Sequence, residues 1–172
     1  MQRKSFSKVP CPIAQSLEAV GEAWRLLILR EVFLGFHRFQ DLEQRLGIAS
    51  STLARRLAEL CRCGLLEQRA YAERPLRHEY ALTPKGEDLL PVLLALGAWG
   101  NRWLTRAIVP VDPQTGERFD PVLVDRGSGR LLCSGGVALA AGPDAPAAVR
   151  RHLSTPRVLG ATPHGSSAEE RS

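Results

Sequence analysis

Residues 39–64, FQDLEQRLGIASSTLARRLAELCRCG, constrain the fold more than any other stretch of the chain. Phe39, Leu42 and Leu46 share one face of a first short helix, and Leu53, Leu57 and Leu60 share one face of a second, with a tight turn at Gly47. The two helices can therefore pack on their leucine faces. The second helix keeps Ser50, Ser51 and Thr52 outside at its start, followed by Arg55, Arg56 and Arg62. Short hydroxyls and guanidiniums suit base edges and phosphates. The pattern is that of a helix-turn-helix, although an ordinary helical hairpin with a solvated polar face fits these residues alone equally well.

The flanking segments decide between the two. Upstream, Cys11 and Pro12 open an apolar-periodic segment through Ile13, Leu17, Val20, Trp24, Leu27, Ile28 and Val32, which predicts one helix ending before Gly35. Downstream, residues 65–71 and 77–82 read as two extended runs joined by a polar turn at Pro75, a hairpin or wing beside the second helix. Thr83, Pro84 and Glu87 form a helix-start signal: a hydroxyl cap, a proline in the first turn and an acid near the positive helix end. A long helix to about Arg106 should follow, with a kink at Pro91. Its apolar residues, Leu89, Leu93, Leu96, Trp99 and Trp103 among them, cover far more than one face. Either a second copy of the chain or the tail that follows must cover that surface.

A chain of 172 residues with 44% hydrophobic content can bury one ordinary core and carry an appendage. That excludes large multidomain enzymes. The expected layout is a mobile basic tail over 1–10, a DNA-binding and dimerisation domain over 11–107, a small appendage over 108–153 and a disordered end over 154–172. Within the appendage a hairpin is expected around Gly127 to Gly129 and a short helix near 147–153, with no internal repeat. The formal net charge of +5 favours polyanionic partners, although 18 acids are interspersed. No apolar run reaches bilayer length and the N-terminus lacks the apolar core of a signal peptide, so a cytoplasmic location is expected. Cys11, Cys61, Cys63 and Cys133 are too scattered for a disulfide scaffold, which leaves reduced thiols.

The segments CPIAQSLEAVGEAWRLLILRE (11–31), GFHRFQDLEQRLGIASSTLARRLAEL (35–60), GLLEQR (64–69), EYALTPKG (79–86) and WGNRW (99–103) stand in one order. Together they resemble the HxlR-type family of bacterial winged-helix transcriptional regulators. The resemblance covers about 11–104. It implies a mainly α fold with a small β wing and a long C-terminal dimerisation helix, to which this chain appends a tail hairpin. It also implies a homodimer held by the first and last helices, each recognition helix entering a major groove of a double-stranded DNA operator with two half-sites. The chain departs from the family at Ala49, where a serine is frequent, so a helix cap would come from Ser50 or water. The tail lies outside the resemblance.

The candidate DNA contacts are therefore Ser50, Ser51, Thr52 and Arg55 at the start of the second helix, Arg74 and Arg77 on the wing, and Lys85 on the backbone of the DNA. Arg56 is placed with them, with pairing to Glu59 or Asp41 as the competing role. The expected dimer interface uses Leu17, Leu89, Leu93, Leu96, Trp99 and Trp103. Cys11 is a candidate thiol sensor: it precedes Pro12 at a helix start, where unpaired amides favour a thiolate, with Lys4 and Lys8 close in sequence. Some members of the resembled family respond to electrophiles such as quinones and aldehydes through a cysteine at this position, which implies a small electrophile or other effector as a partner. The competing role for Cys11 is an inert plug in the dimer contact. Metal-ligand spacing, phosphate loops and nucleophile elbows are all missing from the sequence, so no metal, no cofactor and no enzymatic activity are expected. A winged-helix dimer repurposed as a protein-interaction module is the alternative function on the same fold.

Overall fold

The leucine stripes of the helix-turn-helix close a core, as their spacing requires. The computed structural model describes residues 5–73, 76–104, 106, 108–133 and 136–160. They fall into two compact units, one reaching Pro121 and the other starting at Val122. The first unit contains α1 (Pro12–Val20), α2 (Ala23–Phe33), α3 (Phe39–Leu46), α4 (Ser50–Arg62), β1 (Leu66–Glu73), β2 (Leu76–Leu82), α5 (Pro84–Glu87) and α6 (Leu90–Trp103). Ile28, Leu29 and Val32 of α2 meet Leu42 of α3, Leu53, Leu57 and Leu60 of α4, and Leu65, Leu66 and Tyr80 from the wing. Each fully buried leucine contributes about 1.5–3 kcal/mol.

Gly47 closes α3 in the left-handed conformation at φ 60°, which lets the chain reverse into α4. β1 and β2 pair antiparallel, Leu66 opposite Leu82, with a bulge between Ala70 and Ala72. The residues before α3 extend this small sheet: Arg38 bridges Glu79, and the Tyr80 amide donates to the His37 carbonyl at 2.8 Å. The result is a winged helix-turn-helix, mainly α with a small antiparallel wing.

Two helices expected to be continuous are interrupted. The segment expected to run from Pro12 to before Gly35 breaks at Gly21, followed by Glu22 in extended backbone at ψ 126°. A Cβ on Gly21 would lie 2.3 Å from the Leu17 carbonyl oxygen. Arg25 reaches back instead, donating to the carbonyls of Glu18 and Ala19 at 2.7 and 2.8 Å and so satisfying the end of α1. The segment from Pro84 likewise stops after Glu87 and restarts at Leu90, with Pro91 in the first turn of α6, where its missing N–H costs nothing. Pro91 therefore starts a helix and does not kink one. The Thr83 cap forms as expected, accepting from the Gly86 amide at 3.1 Å. α5 is pressed onto the chain leaving α4, since a Cβ on Gly86 would stand 2.2 Å from the Leu65 carbonyl oxygen.

In the second unit β3 (Ala138–Leu139) pairs antiparallel with β4 (Arg157–Val158), and α7 (Ala147–His152) lies between them in sequence. The short helix occurs where it was expected. β4 falls inside the 154–172 stretch expected to be disordered, and 161–172 lie outside the described residues. The hairpin around Gly127 is a single bridge, Val124 to Leu131, over a turn in which the Asp125 carboxylate accepts from the Ser128 amide at 2.7 Å. The first unit ends on a turn of the same build: Val111 bridges Arg118, and the Asp112 carboxylate accepts from Gln114 and Thr115. The pattern D-x-x-[ST]-G, closed by Gly116 and Gly129 at positive φ, is thus written twice, a short repeat where none was expected.

α4 is fixed by more than its leucines. Glu59 accepts from Arg25 of α2 at 2.8 Å and from Arg56 at 2.8 Å, and Arg56 also pairs with Glu22. A second acid, the buried Glu31 of α2, joins Arg30 and, at 2.5 Å, Arg45 of α3. Burial pushes both carboxyls up, but the hydrogen bonds and charges of the arginines prevail, holding Glu31 below its ordinary value and bringing Glu59 from 4.5 to about 2. A carboxyl whose folded value is depressed adds stability that is fully present above about 4.5 and is lost as the pH falls toward about 2. Glu59→Gln should therefore cost about 3 kcal/mol at pH 7, leaving two guanidiniums short of a charge. The difference from the parent should shrink steadily between pH 4.5 and 2. Urea denaturation across that range checks it, and a pH-independent difference would contradict the assignment.

Candidate nucleic-acid interface

With Leu53, Arg56, Leu57 and Leu60 turned inward, α4 presents the opposite face to solvent. Ser51, Ala54, Arg55, Ala58 and Arg62 are all exposed and recur at helical spacing along its 13 residues, about 20 Å. Alanines between the polar positions keep this ridge low, so the helix axis can approach a groove floor closely. Ala54 and Ala58 belong to the candidate surface although neither has a polar group to announce it. Ala49 holds the N-cap position without a side-chain hydrogen bond, so the first-turn amides of α4 are unclaimed by any side chain.

The residues singled out in the sequence divide accordingly. Ser51, Thr52 and Arg55 lie at the start of α4, Ser51 and Arg55 exposed and Thr52 half-exposed. Ser50 caps nothing, because its hydroxyl donates to the Glu43 carboxylate at the end of α3. Arg56 is 8% exposed and held by Glu22 and Glu59, so it belongs to the core and not to the interface. Glu59, one helical turn on, is the partner its spacing offered. Lys85 is exposed, and its ammonium donates to the Cys63 carbonyl at 2.8 Å, at the far end of α4, where a cation meets the negative helix end. On the wing, Arg77 is exposed opposite Ala72, while Arg74 lies outside the described residues.

The arginines sort the surface by charge. Arg25, Arg30, Arg45, Arg56, Arg69 and Arg102 each lie against a carboxylate. Among the described residues up to Trp103, Arg38, Arg55, Arg62 and Arg77 are the guanidiniums with no acid partner, and all four are exposed. Arg38 instead stacks on Tyr71, its guanidinium carbon 4.6 Å from the ring centroid. Among the described residues from α1 to α6, the guanidiniums without an acid partner thus lie on α4, on the wing and at the start of α3.

Elsewhere Cys11 is the half-buried N-cap residue of α1, accepting through its carbonyl from the Gln15 amide at 3.0 Å. Of the expected dimer residues, Leu89 and Leu93 pack partly on the chain's own core. Leu17, Leu96, Trp99 and Trp103 stay exposed, the tryptophans by 54% and 68%, and α6 has no buried residue. Among the described residues no group of acids, histidines and cysteines is placed to hold a metal, and no helix is long and apolar enough to cross a membrane.

Known proteins share this arrangement. Residues 19–108 match the HxlR-like helix-turn-helix family. An uncharacterised HTH-type transcriptional regulator of Mycobacterium tuberculosis is 39% identical over 135 residues, covering 76% of this chain and 85% of that protein. The crystal structure of PA1607, a candidate transcription factor, superposes with a TM-score of 0.72 at 30% identity, covering 80% of this chain and 99% of that one. The redox regulator HypR in its reduced form is similar over 57% of this chain and 100% of its own, with a TM-score of 0.51 at 27% identity. With the family's segment spanning α2 to α6 and the helix-turn-helix and wing in place, the chain belongs to the HxlR-like family of helix-turn-helix transcriptional regulators.

Proposed function

We propose that the chain is a cytoplasmic, sequence-specific regulator that binds a two-half-site operator as a homodimer and loses affinity when Cys11 is modified. The observation that carries the DNA reading is the sorting of the arginines: the buried Arg25 and Arg56 are neutralised by acids, while Arg55 and Arg62 on the outer face of α4 and Arg77 on the wing have no acid partner among the described residues. Ser51, Thr52 and Arg55 would meet base edges, and the uncapped amides of α4 and Arg62 would meet phosphates. Arg77 would hold the backbone beside the half-site. Arg55→Ala should relax base preference at one position of each half-site by about 1–3 kcal/mol. Arg77→Ala should weaken specific and random duplexes alike. Fluorescence anisotropy on both kinds of duplex separates the two, and variants indistinguishable from the parent on both would sink the reading.

Dimerisation is supported by the apolar surface of α6, on which Leu96, Trp99 and Trp103 are all at least half exposed. A two-fold contact buries one such patch against its copy. Trp99→Asp with Trp103→Asp should give monomers or unfolded chain, because burying an unpaired charge is strongly unfavourable. Light scattering at micromolar concentration should find the parent dimeric; a monodisperse monomer would refute the dimer.

The response to thiol chemistry rests on the place of Cys11 at the N-terminus of α1 and on the likeness to the redox regulator HypR. Modification there would displace α1, and with it the contact that sets the spacing of the two recognition helices. Diamide or a quinone should lower operator affinity of the parent and leave Cys11→Ser unaffected. Equal loss in both proteins, or no loss in either, counts against Cys11.

A further inference from the structure

We infer that Arg38 is a fixed phosphate clamp on the wing, positioned by Tyr71, that grips the DNA backbone beside each half-site. The inference rests on the DNA reading above and adds a contact that the helix-turn-helix pattern does not point to. Arg38 precedes α3 and stands opposite Glu79 in the bridge that joins this segment to β2. Side chains alternate across a strand, and β2 turns Tyr80 into the core, so Glu79 and Arg77 share the outer face of the wing. Arg38, opposite Glu79, is on that face too. The outer face thus carries two guanidiniums without an acid partner among the described residues.

Glu79 is the nearest acid across the bridge, yet the Arg38 guanidinium lies over the Tyr71 ring and makes no ion pair among the described residues. The bulge between Ala70 and Ala72 falls at Tyr71 and has no role in closing the core. A bulge re-aims the side chain it carries, and here the ring it carries meets a residue from before α3. Stacking occupies one flat face of a guanidinium and leaves its N–H edge open to a planar acceptor. A phosphodiester oxygen pair fits that edge. Most surface arginines must give up rotamer freedom when they bind a phosphate, whereas Arg38 is already held in place before DNA arrives.

The test uses the full chain with a fluorescent random-sequence duplex and a selected operator duplex, each titrated by anisotropy from low to moderate sodium chloride. Arg38→Ala should lower affinity about tenfold for both duplexes and reduce the slope of log K against log salt by about 0.9 for each phosphate released. Arg38→Gln, which keeps the stem and a polar head, should do the same, so a folding defect in one variant does not decide the matter. Tyr71→Phe should behave as the parent, because the ring face remains. Tyr71→Ala should weaken binding with the slope preserved, the charge being present but no longer positioned. Folded Arg38 variants with the parent's affinity and slope would overturn the clamp while leaving the regulator reading intact. A parent that shows no salt-dependent binding to either duplex would overturn both.

Discussion

The placement of α4 depends on one carboxylate. Glu59 sits between Arg25 and Arg56, Arg25 also holds the last carbonyls of α1, and Arg56 also holds Glu22 from the turn between α1 and α2. α1, the turn after it, α2 and α4 are thereby joined at one point. A leucine stripe alone fixes which face of a helix is buried but tolerates small slides and rotations along the interface. The ion cluster removes that freedom, because charges taken out of water are tolerable only in good geometry. A helix that reads base edges needs its axis and rotation set to a fraction of an ångström. The cluster around Glu59 therefore serves the exposed face of α4 from the inner side of the same helix.

The same cluster ties α4 to α1, and α1 carries Cys11 at its start and Leu17 on its exposed side. Arg25 ties the last carbonyls of α1 to Glu59, and α1 and α2 are separated only by Gly21 and Glu22. The C-terminal end of α4 is held separately: Lys85 and Thr83 both donate to carbonyls of the turn that leaves it. The end of α4 and the start of α5 are thus tied together.

What the sequence makes legible is what repeats locally. Leucines at three and four residues, a left-handed glycine at 47 and a threonine cap at 83 are each decided within one or two turns of chain, and each stands where it was expected. Arg56 and Lys85 show the opposite case. A polar residue on a helix can face solvent, DNA or a buried acid, and the partners that decide, Glu22 for Arg56 and the Cys63 carbonyl for Lys85, lie 34 and 22 residues away in one sense or the other. Arg25 and Glu59, which complete the cluster that holds Arg56, are also 34 residues apart. The breaks at Gly21 and after Glu87 were harder to read because the apolar spacing continues across both; Arg25 satisfies the end of α1 at the first, and Pro91 opens α6 after the second. The stack of Arg38 on Tyr71 joins two residues whose own neighbourhoods are unremarkable, so no local pattern could announce it.

The central claim is that two copies of α4, each locked by its ion cluster, read a symmetric DNA site. Selection of bound duplexes from a random pool by the full chain, followed by hydroxyl-radical footprinting of the enriched sequences, tests it most directly. The account predicts a two-fold symmetric sequence whose half-sites are centred about one helical turn, ~10 base pairs, or a multiple of that, apart, with backbone protection extending outward to the wings. A pool that enriches no sequence, or one that yields a single unpaired patch of protection, would contradict it.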